Sequence, residues 1–333
     1  MSLAKAAALG YPGPQVRPSI TQAAAALLRG ELVAFPTETV YGLGAHAFDE
    51  RAVAQIFEAK GRPTFDPLIV HVADHASAEL LVTEWPKAAR RLAAHFWPGP
   101  LTLVLPKRAE VPDLVTAGEP TVAVRVPAHP LALALLRAAG VPIAAPSANL
   151  FGRISPTTAA HVEEQLGGVV KWILDGGPTT VGVESTILAF PEGRPVLLRP
   201  GGVPLEAIEA LIGPVEAPGP EVRATMAPGQ LPQHYAPRTP LYILPRRPPP
   251  GVGPIGRLAL IPPADPGDVL EVLSPSGDLT EAAARLFAAM RKLDQSGVAA
   301  IVADPVPAIG LGRAIMDRLQ RAAFRPVAKP GLK

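Results

Sequence analysis

The stretch "EAKGRPTFDPLIVHV" (58–72) places Lys60 and Arg62 two residues apart, in a chain sparing with lysine. The pattern predicts a helix ending there and a turn feeding an apolar strand. Gly61 or Pro63 already supplies the turn, and the two charges add a desolvation cost if the loop is covered. Either the loop is open and both cations are solvated, or something anionic meets them. Lysine offers a point charge and arginine a planar fork of donors, a pairing suited to polyphosphate.

Other segments carry groups that could serve such a site. "AAPSANLFGRISPTT" (144–158) holds Asn149, the chain's only asparagine, between Ser147 and Ser155. A turn asparagine is the plainer reading, but a composition that avoids Asn elsewhere points to a needed side chain. "AFPTETVYGLG" (34–44) follows a strand and is rich in hydroxyls. It reads equally as a binding loop or as a turn, with Gly42 and Gly44 at special dihedrals and Tyr41 packed beneath. "ESTIL" sets Ser185 at a strand entry, and "LLRPGG" sets Arg199 at a strand exit. "QHYAP" adds an imidazole and a ring able to stack on a planar group. No GxxxxGK[ST] loop, GxSxG elbow or HExxH helix occurs, and "GLGAHA" lacks the third glycine of a dinucleotide fingerprint. His71 and His75 lie four apart, but His71 ends a strand, which argues against a shared metal face.

These residues need a scaffold, and the remaining pattern supplies one. "ELVAFP", "PLIVHV", "LTLVLP", "TVAVRVP" and "PIAAPS" read as strands. "SITQAAAALLRG", "ERAVAQIFEAK" and "PLALALLRAAG" read as helices, with Ser19 as an N-cap and Gly30 and Gly140 as stops. "VVKWIL", "ESTILAF" and "PVLLRP" follow without long helices between them, so part of the sheet is expected to be antiparallel. From Gly201 to Thr239 the composition turns to Pro, Gly and Ala, as in a linker packed on a surface. A second series then alternates strands ("LYILP", "RLALIP", "DVLEVL", "VAAIVADPVP") with helices ("LTEAAARLFAAMRKLDQSG", "LGRAIMDRLQRAA"). The fold class is α/β, with a mixed sheet in a first domain (15–205), a Pro-rich linker or lid (206–239) and a small α/β domain (240–330).

Composition narrows the function classes. The 333 residues are 48% hydrophobic and 18% charged, as in a globular chain with room for two cores. A formal net charge of +2 does not announce a nucleic-acid binder. No apolar run reaches membrane-spanning length, and "MSLAKAAALGYPGP" reads as a cytosolic start rather than a signal peptide. The absence of cysteine excludes disulfides, thiolate metal sites and cysteine nucleophiles. The 42 prolines and single asparagine fit a thermophile and GC-rich coding alike.

In order and spacing, "FPTETVYGLG", "KGRP…PLIVHV", "TVAVRVP", "PSANLFGRISPT", "ESTIL" and "LRPGG" resemble the YrdC-like domain of threonylcarbamoyl-AMP synthases. "APGQLPQHYAP" and "GLGRAIMDRLQRAA" resemble the linker and the Rossmann-like C-terminal domain of that family's long form. The resemblance runs from about Pro18 to Ala323. It implies a cytoplasmic nucleotidyltransferase that condenses L-threonine, bicarbonate and ATP, with Mg2+, to threonylcarbamoyl-AMP and pyrophosphate. The product would pass to a threonylcarbamoyltransferase complex that modifies adenosine 37 of ANN-decoding tRNAs, with at most a weak tRNA contact and no membrane. By the same resemblance Thr39, His71, Arg125, Ser185 and the backbone at Ala145 form the threonine pocket. Lys60, Arg62, Asp66, Thr121, Ser147, Asn149, Ser155 and Arg199 form the ATP site, with Lys60 and Arg62 in the catalytic role and Tyr235 closing from the linker. A YrdC-like module that binds RNA or nucleotide without catalysis is the alternative.

Overall fold

The computed structural model describes residues 17–219, 227–229, 231 and 233–324. The N-terminal stretch read as a cytosolic start lies outside them, as does part of the Pro-rich segment.

Local signals place the first elements as expected. Helix α1 (Ile20–Leu28) starts at Ser19, which forms a capping box with Gln22. After strands β1 (Val33–Phe35) and β2 (Gly42–His46), helix α2 spans Glu50–Lys60. Asp49 accepts from the amides of Arg51 and Ala52 at its start, and Gly61 ends it with φ of 61°. Lys60 is thus the last helical residue, with its direction set before the loop begins. Strand β3 (Ile69–His71) and the short helix α3 (His75–Glu79) follow.

Helix α4 (Lys87–Phe96), strand β4 (Leu101–Pro106), the turn-like α5 (Asp113–Thr116) and strand β5 (Thr121–Arg125) come next. Helix α6 (Pro130–Ala139) stops at Gly140 and leads to β6 (Ile143–Ala144). Then come α7 (Ala159–Leu166), β7 (Trp172–Ile173), β8 (Thr186–Ala189), β9 (Val196–Arg199) and α8 (Leu205–Ile212). Helix α8 packs on α4, so the Pro-rich stretch begins with a docked helix rather than irregular chain.

The nine strands form one sheet, in the order β7-β1-β2-β6-β3-β5-β4-β8-β9. Pairs β1/β7, β3/β5 and β4/β8 are parallel and the other five are antiparallel, the mixed sheet expected. Strand β2 is the departure from expectation. Gly42 and Gly44 were expected at special dihedrals, and neither has a positive φ. They are glycines because of close approach: a Cβ on Gly44 would lie 2.7 Å from the Ile143 side chain and 2.9 Å from the Phe35 ring. Tyr41 is fully buried, as anticipated, and its hydroxyl donates to the Gly177 carbonyl at 2.8 Å.

Alternation along the strands gives the sheet two unlike faces. Ala34, Val70, Leu103, Leu105, Val122 and Val124 join the main core under α2, α4 and α7. The other face carries two separate apolar clusters, one beneath α1 and α6 and one around Ile69, Val104, Ala123 and Ile187. His71 and Arg125 point to this second face, two residues on from Ile69 and Ala123, and they are register partners across β3 and β5. The polar site sits where the two apolar clusters leave room for it.

The second unit is a four-stranded parallel sheet, β10 (Leu241–Ile243), β13 (Ala300–Ala303), β11 (Ile255–Ala259) and β12 (Val269–Val272) in that spatial order. Helices α9 (Leu279–Gln295) and α10 (Gly312–Ala323) cover it. Its core is not self-contained: Val40, Ile154 and Val183 from the first unit and Tyr235 from the connecting strap belong to the same apolar cluster.

Candidate functional site

Arg125, at the end of β5, anchors one wall. Its guanidinium donates to Glu38 (2.6 Å), to Thr39 Oγ1 (3.0 Å) and to the Gly99 carbonyl (3.2 Å). The second oxygen of Glu38 accepts from the Ala128 amide, so the carboxylate bridges the loop after β1 to the loop after β5. Thr37 Oγ1 donates to the Val40 carbonyl at 2.6 Å and lies 2.8 Å from Thr39 Oγ1, folding the TET turn onto itself. His71 stands edge-on to Phe35, and its Nδ1 is buried without a partner among the described residues. Burial, aided by the neighbouring Arg125 charge, pushes its pKa down to about 3, so the ring is neutral at ordinary pH. A neutral imidazole with a free nitrogen can accept or donate one hydrogen bond to a bound molecule.

The opposite wall carries the second cationic set. Arg199 donates twice to the Ser185 carbonyl (3.2 and 3.0 Å), once to Ser185 Oγ (3.2 Å) and once to the Pro228 carbonyl (3.1 Å). Ser185 Oγ also pairs with Thr102 Oγ1 at 2.7 Å. Arg62 forms a buried ion pair with Asp66 at 3.0 Å and donates to the Asp66 and Pro67 carbonyls. Glu184 lies between the sets. Its Oε1 accepts from Ser155 Oγ at 2.5 Å, and its Oε2 from Arg318 Nε at 2.7 Å. Burial alone would push this carboxyl up, but Arg318 and Arg199 reverse that and hold it below the usual carboxylate value.

Over these walls lies a strap, described at 227–229, 231 and 233–236. Tyr235 is fully buried at φ of 60°, a left-handed conformation costing a non-glycine residue on the order of 1 kcal/mol. Its ring stacks on Phe287 of the second unit and contacts His234, and its hydroxyl has no partner among the described residues. Gly229 lets the strap close: a Cβ there would fall 2.6 Å from the Tyr235 hydroxyl and 3.0 Å from Arg199. What remains beneath is a cavity of about 50 Å³, bounded by Thr39, Arg62, His71, Arg125, Ala145, Ser147, Ser185, Arg199 and Tyr235 among others. That is room for a water or two, against the several hundred Å³ a nucleotide requires.

Nine of the fourteen anticipated residues therefore line one cavity. The other five have different positions. Lys60 lies behind the wall, its ammonium donating to the Ser147 carbonyl at 2.6 Å and to the Asn149 carbonyl. An open loop is ruled out, since Lys60 and Arg62 are 2% and 6% exposed. Burial, with Arg62 adding to it, drives the Lys60 pKa well below its ordinary value. Asp66 is the counterion of Arg62, and Asn149 spends its amide on the Leu150 and Arg153 carbonyls, bracing its own loop. Ser155 touches the cavity only through Glu184. Thr121 shares a face with Arg125, but four residues of extended strand put roughly 13 Å between them.

Reasoning from the sequence missed Glu38, Glu184 and Arg318. Each had a signal. The two glutamates are the acidic residues inside otherwise neutral motifs, "PTETV" and "GVESTIL", beside arginines that need a counterion once buried. In "GRAIMDRLQRAA" the apolar stripe at 315, 319 and 322 has Arg318 in its midst, although a stripe position normally holds an apolar side chain.

Comparison with known proteins bears on this geometry. A family model described as "Telomere recombination" (Sua5, YciO, YrdC) matches residues 25–201, and one described as "Threonylcarbamoyl-AMP synthase, C-terminal domain" matches residues 203–324. The threonylcarbamoyl-AMP synthase of Pyrococcus abyssi is 47% identical, across 92% of this chain and 94% of that protein. That of Bacillus subtilis is also 47% identical, across 92% and 93%. The crystal structure of P. abyssi Sua5 complexed with L-threonine superposes with a TM-score of 0.85 at 46% identity, covering 91% of this chain and 94% of that one.

Proposed function

Because the chain belongs to the threonylcarbamoyl-AMP synthase family, we propose that the cavity beneath the strap is where L-threonine, bicarbonate and ATP become threonylcarbamoyl-AMP and pyrophosphate. The observation that carries this reading is the convergence on one cavity of two arginine-bearing walls, Arg125 on one and Arg62 with Arg199 on the other.

The Arg125 wall suits the amino acid. Three of the five N–H groups of Arg125 are spent on the protein, and the remaining ones can take a carboxylate. Thr39, Ser185 and the neutral His71 offer partners to a substrate hydroxyl and amine. The Arg62–Arg199 wall suits the triphosphate. Lys60 acts from behind, its ammonium fixing the Ser147–Asn149 backbone against which the nucleotide would lie. Ser155 would reach the ATP only through Glu184.

The chemistry asks for position and charge rather than a protein nucleophile. The threonine amine attacks the carbon of bicarbonate to form a carbamate with loss of water, a carbamate oxygen attacks the α-phosphorus, and pyrophosphate departs. Arginines held rigidly by backbone carbonyls are preorganised for the charge that develops on the phosphates. Mg2+ would arrive with the ATP, and Asp66 Oδ2, buried and without a partner among the described residues, would take up its water shell. The cavity as it stands admits neither substrate in full, so the strap must lift for binding and close again. Closure matters because a carbamate and a mixed anhydride both hydrolyse readily.

The product would serve a transferase acting on adenosine 37 of ANN-decoding tRNAs. Among the described residues no helix is long and apolar enough to cross a membrane. Pyrophosphate release measured with and without threonine and bicarbonate tests the proposal. Release should require both, and release from ATP alone would overturn it.

A further inference from the structure

Helix α10 of the second unit sends an arginine into the first. Arg318 is completely buried, on the helix face that also buries Ala314, Ile315, Leu319 and Ala322. A guanidinium at such a position is costly unless it is paired, and this one is paired across the unit boundary. Its Nε donates to Glu184 (2.7 Å), one Nη to the Pro200 carbonyl (3.0 Å) and to Asp317 (2.6 Å). Its plane lies 4.9 Å from the centre of the Tyr235 ring. Asp317 in turn binds Arg321, which donates to the Leu231 carbonyl of the strap.

We infer that Arg318 is a positioning residue for the nucleotide: by holding and neutralising Glu184 it lets a carboxylate-lined wall accept a polyanion. This rests on the ATP-site reading given above. Glu184 borders the same cavity as Arg62 and Arg199. Left unpaired, its charge would cancel one of these arginines and repel a phosphate. Paired with Arg318, the ionised carboxylate becomes half of a charge-balanced strut whose other oxygen holds Ser155. The arginine also lies over the ring of Tyr235, whose hydroxyl is the group that Gly229 lets approach. Docking of the second unit and assembly of the nucleotide wall are then one event. Among the described residues, Arg125 and Glu38 of the threonine wall share no hydrogen bond or ion pair with α10.

The test measures binding by calorimetry, with ATP and L-threonine as separate titrants, so it needs no turnover. Arg318→Met should weaken ATP at least about tenfold while changing threonine affinity less than about twofold. Adding Glu184→Gln to Arg318→Met should restore most of the ATP affinity, because the uncompensated charge is gone. Arg318→Lys keeps a cation and should show a smaller loss in the same direction, which covers the case in which the Met variant does not fold. Unchanged ATP affinity in a folded Arg318→Met protein would overturn the inference. So would equal weakening of both titrants, or a double variant no better than the single one, since either outcome marks a packing role alone. If wild-type protein binds ATP in this way yet fails to release pyrophosphate, the proposed reaction falls and the positioning role stands.

Discussion

Arg125 and Glu38 form a buried ion pair at 2.6 Å, joining the end of β5 to the turn after β1 on the face of the sheet opposite the main core. The pair sets the direction of the guanidinium before any ligand arrives. Arg125→Lys keeps the charge but loses the planar fork. Threonine affinity should fall at least about tenfold, roughly the worth of one charge-assisted hydrogen bond, with ATP affinity little changed. Calorimetry with each ligand checks this; an unaltered threonine isotherm would remove Arg125 from the pocket.

The hydroxyls of Thr39 and Ser185 lie in a buried polar setting beside Arg125 and Arg199. Groups placed to meet a substrate hydroxyl are left unpaired by an isostere that lacks it. Threonine should support pyrophosphate release, serine more weakly, and valine at least about a hundredfold less well. Comparable kcat/KM for valine and threonine would show that the hydroxyls serve the protein alone.

Lys60 supports both the wall and the fold. In Lys60→Ala the Ser147 and Asn149 carbonyls lose their donor, and each buried unsatisfied acceptor costs about 1–3 kcal/mol. The melting temperature should drop by several degrees, and turnover should fall at least about tenfold. A variant that melts like the wild type would mean the carbonyls find other partners.

Gly229 allows the strap to close over the cavity, having a φ of 80° and lying against the Tyr235 hydroxyl. Gly229→Ala should hold the strap away from Arg199. ATP affinity should decline, and more free AMP should form per pyrophosphate as water reaches the intermediate. The melting temperature should fall as well, since alanine is strained at this φ and its Cβ meets the buried Tyr235 hydroxyl. Product yield equal to the wild type, assayed by chromatography of the nucleotides, would refute a sealing role.

His71 makes stability depend on pH. Its folded pKa is about 3, against 6.5 for an ordinary histidine. Between these values the unfolded chain binds a proton that the native chain does not, so stability falls as pH falls from 6.5 towards 3, by up to about 1.4 kcal/mol per pH unit. His71→Gln should flatten that slope. Urea midpoints at pH 7, 6 and 5 for both proteins give the comparison, and parallel curves would show that folding does not depress the His71 pKa.

Much of the fold was legible locally. The boundaries of α2 follow from Asp49 and Gly61, the start of α1 from Ser19, and the strands around His71, Arg125, Ser185 and Arg199 from apolar runs bounded by proline and glycine. These signals act within a few residues, so the sequence by itself determined them. Strand β2 was not legible, because two glycines in "GLGAH" look like a turn until Ile143 and Phe35 are seen crowding them. Helix α8 was hidden in proline-rich surroundings for the same reason: what holds it is packing on α4.

The site divides along the same line. Residue types and spacing determined which motifs would supply cations and hydroxyls, and nine of those residues do share a cavity. Only the tertiary structure decided which of them face it. Lys60 turns to backbone carbonyls and Asp66 to Arg62, because a buried charge takes the nearest partner that offsets its desolvation. Arg318 and Glu184 stand 134 residues apart, and no local rule links them. Their pairing exists because loops of the first unit complete the apolar core of the second, which brings the arginine of one unit to the carboxylate of the other.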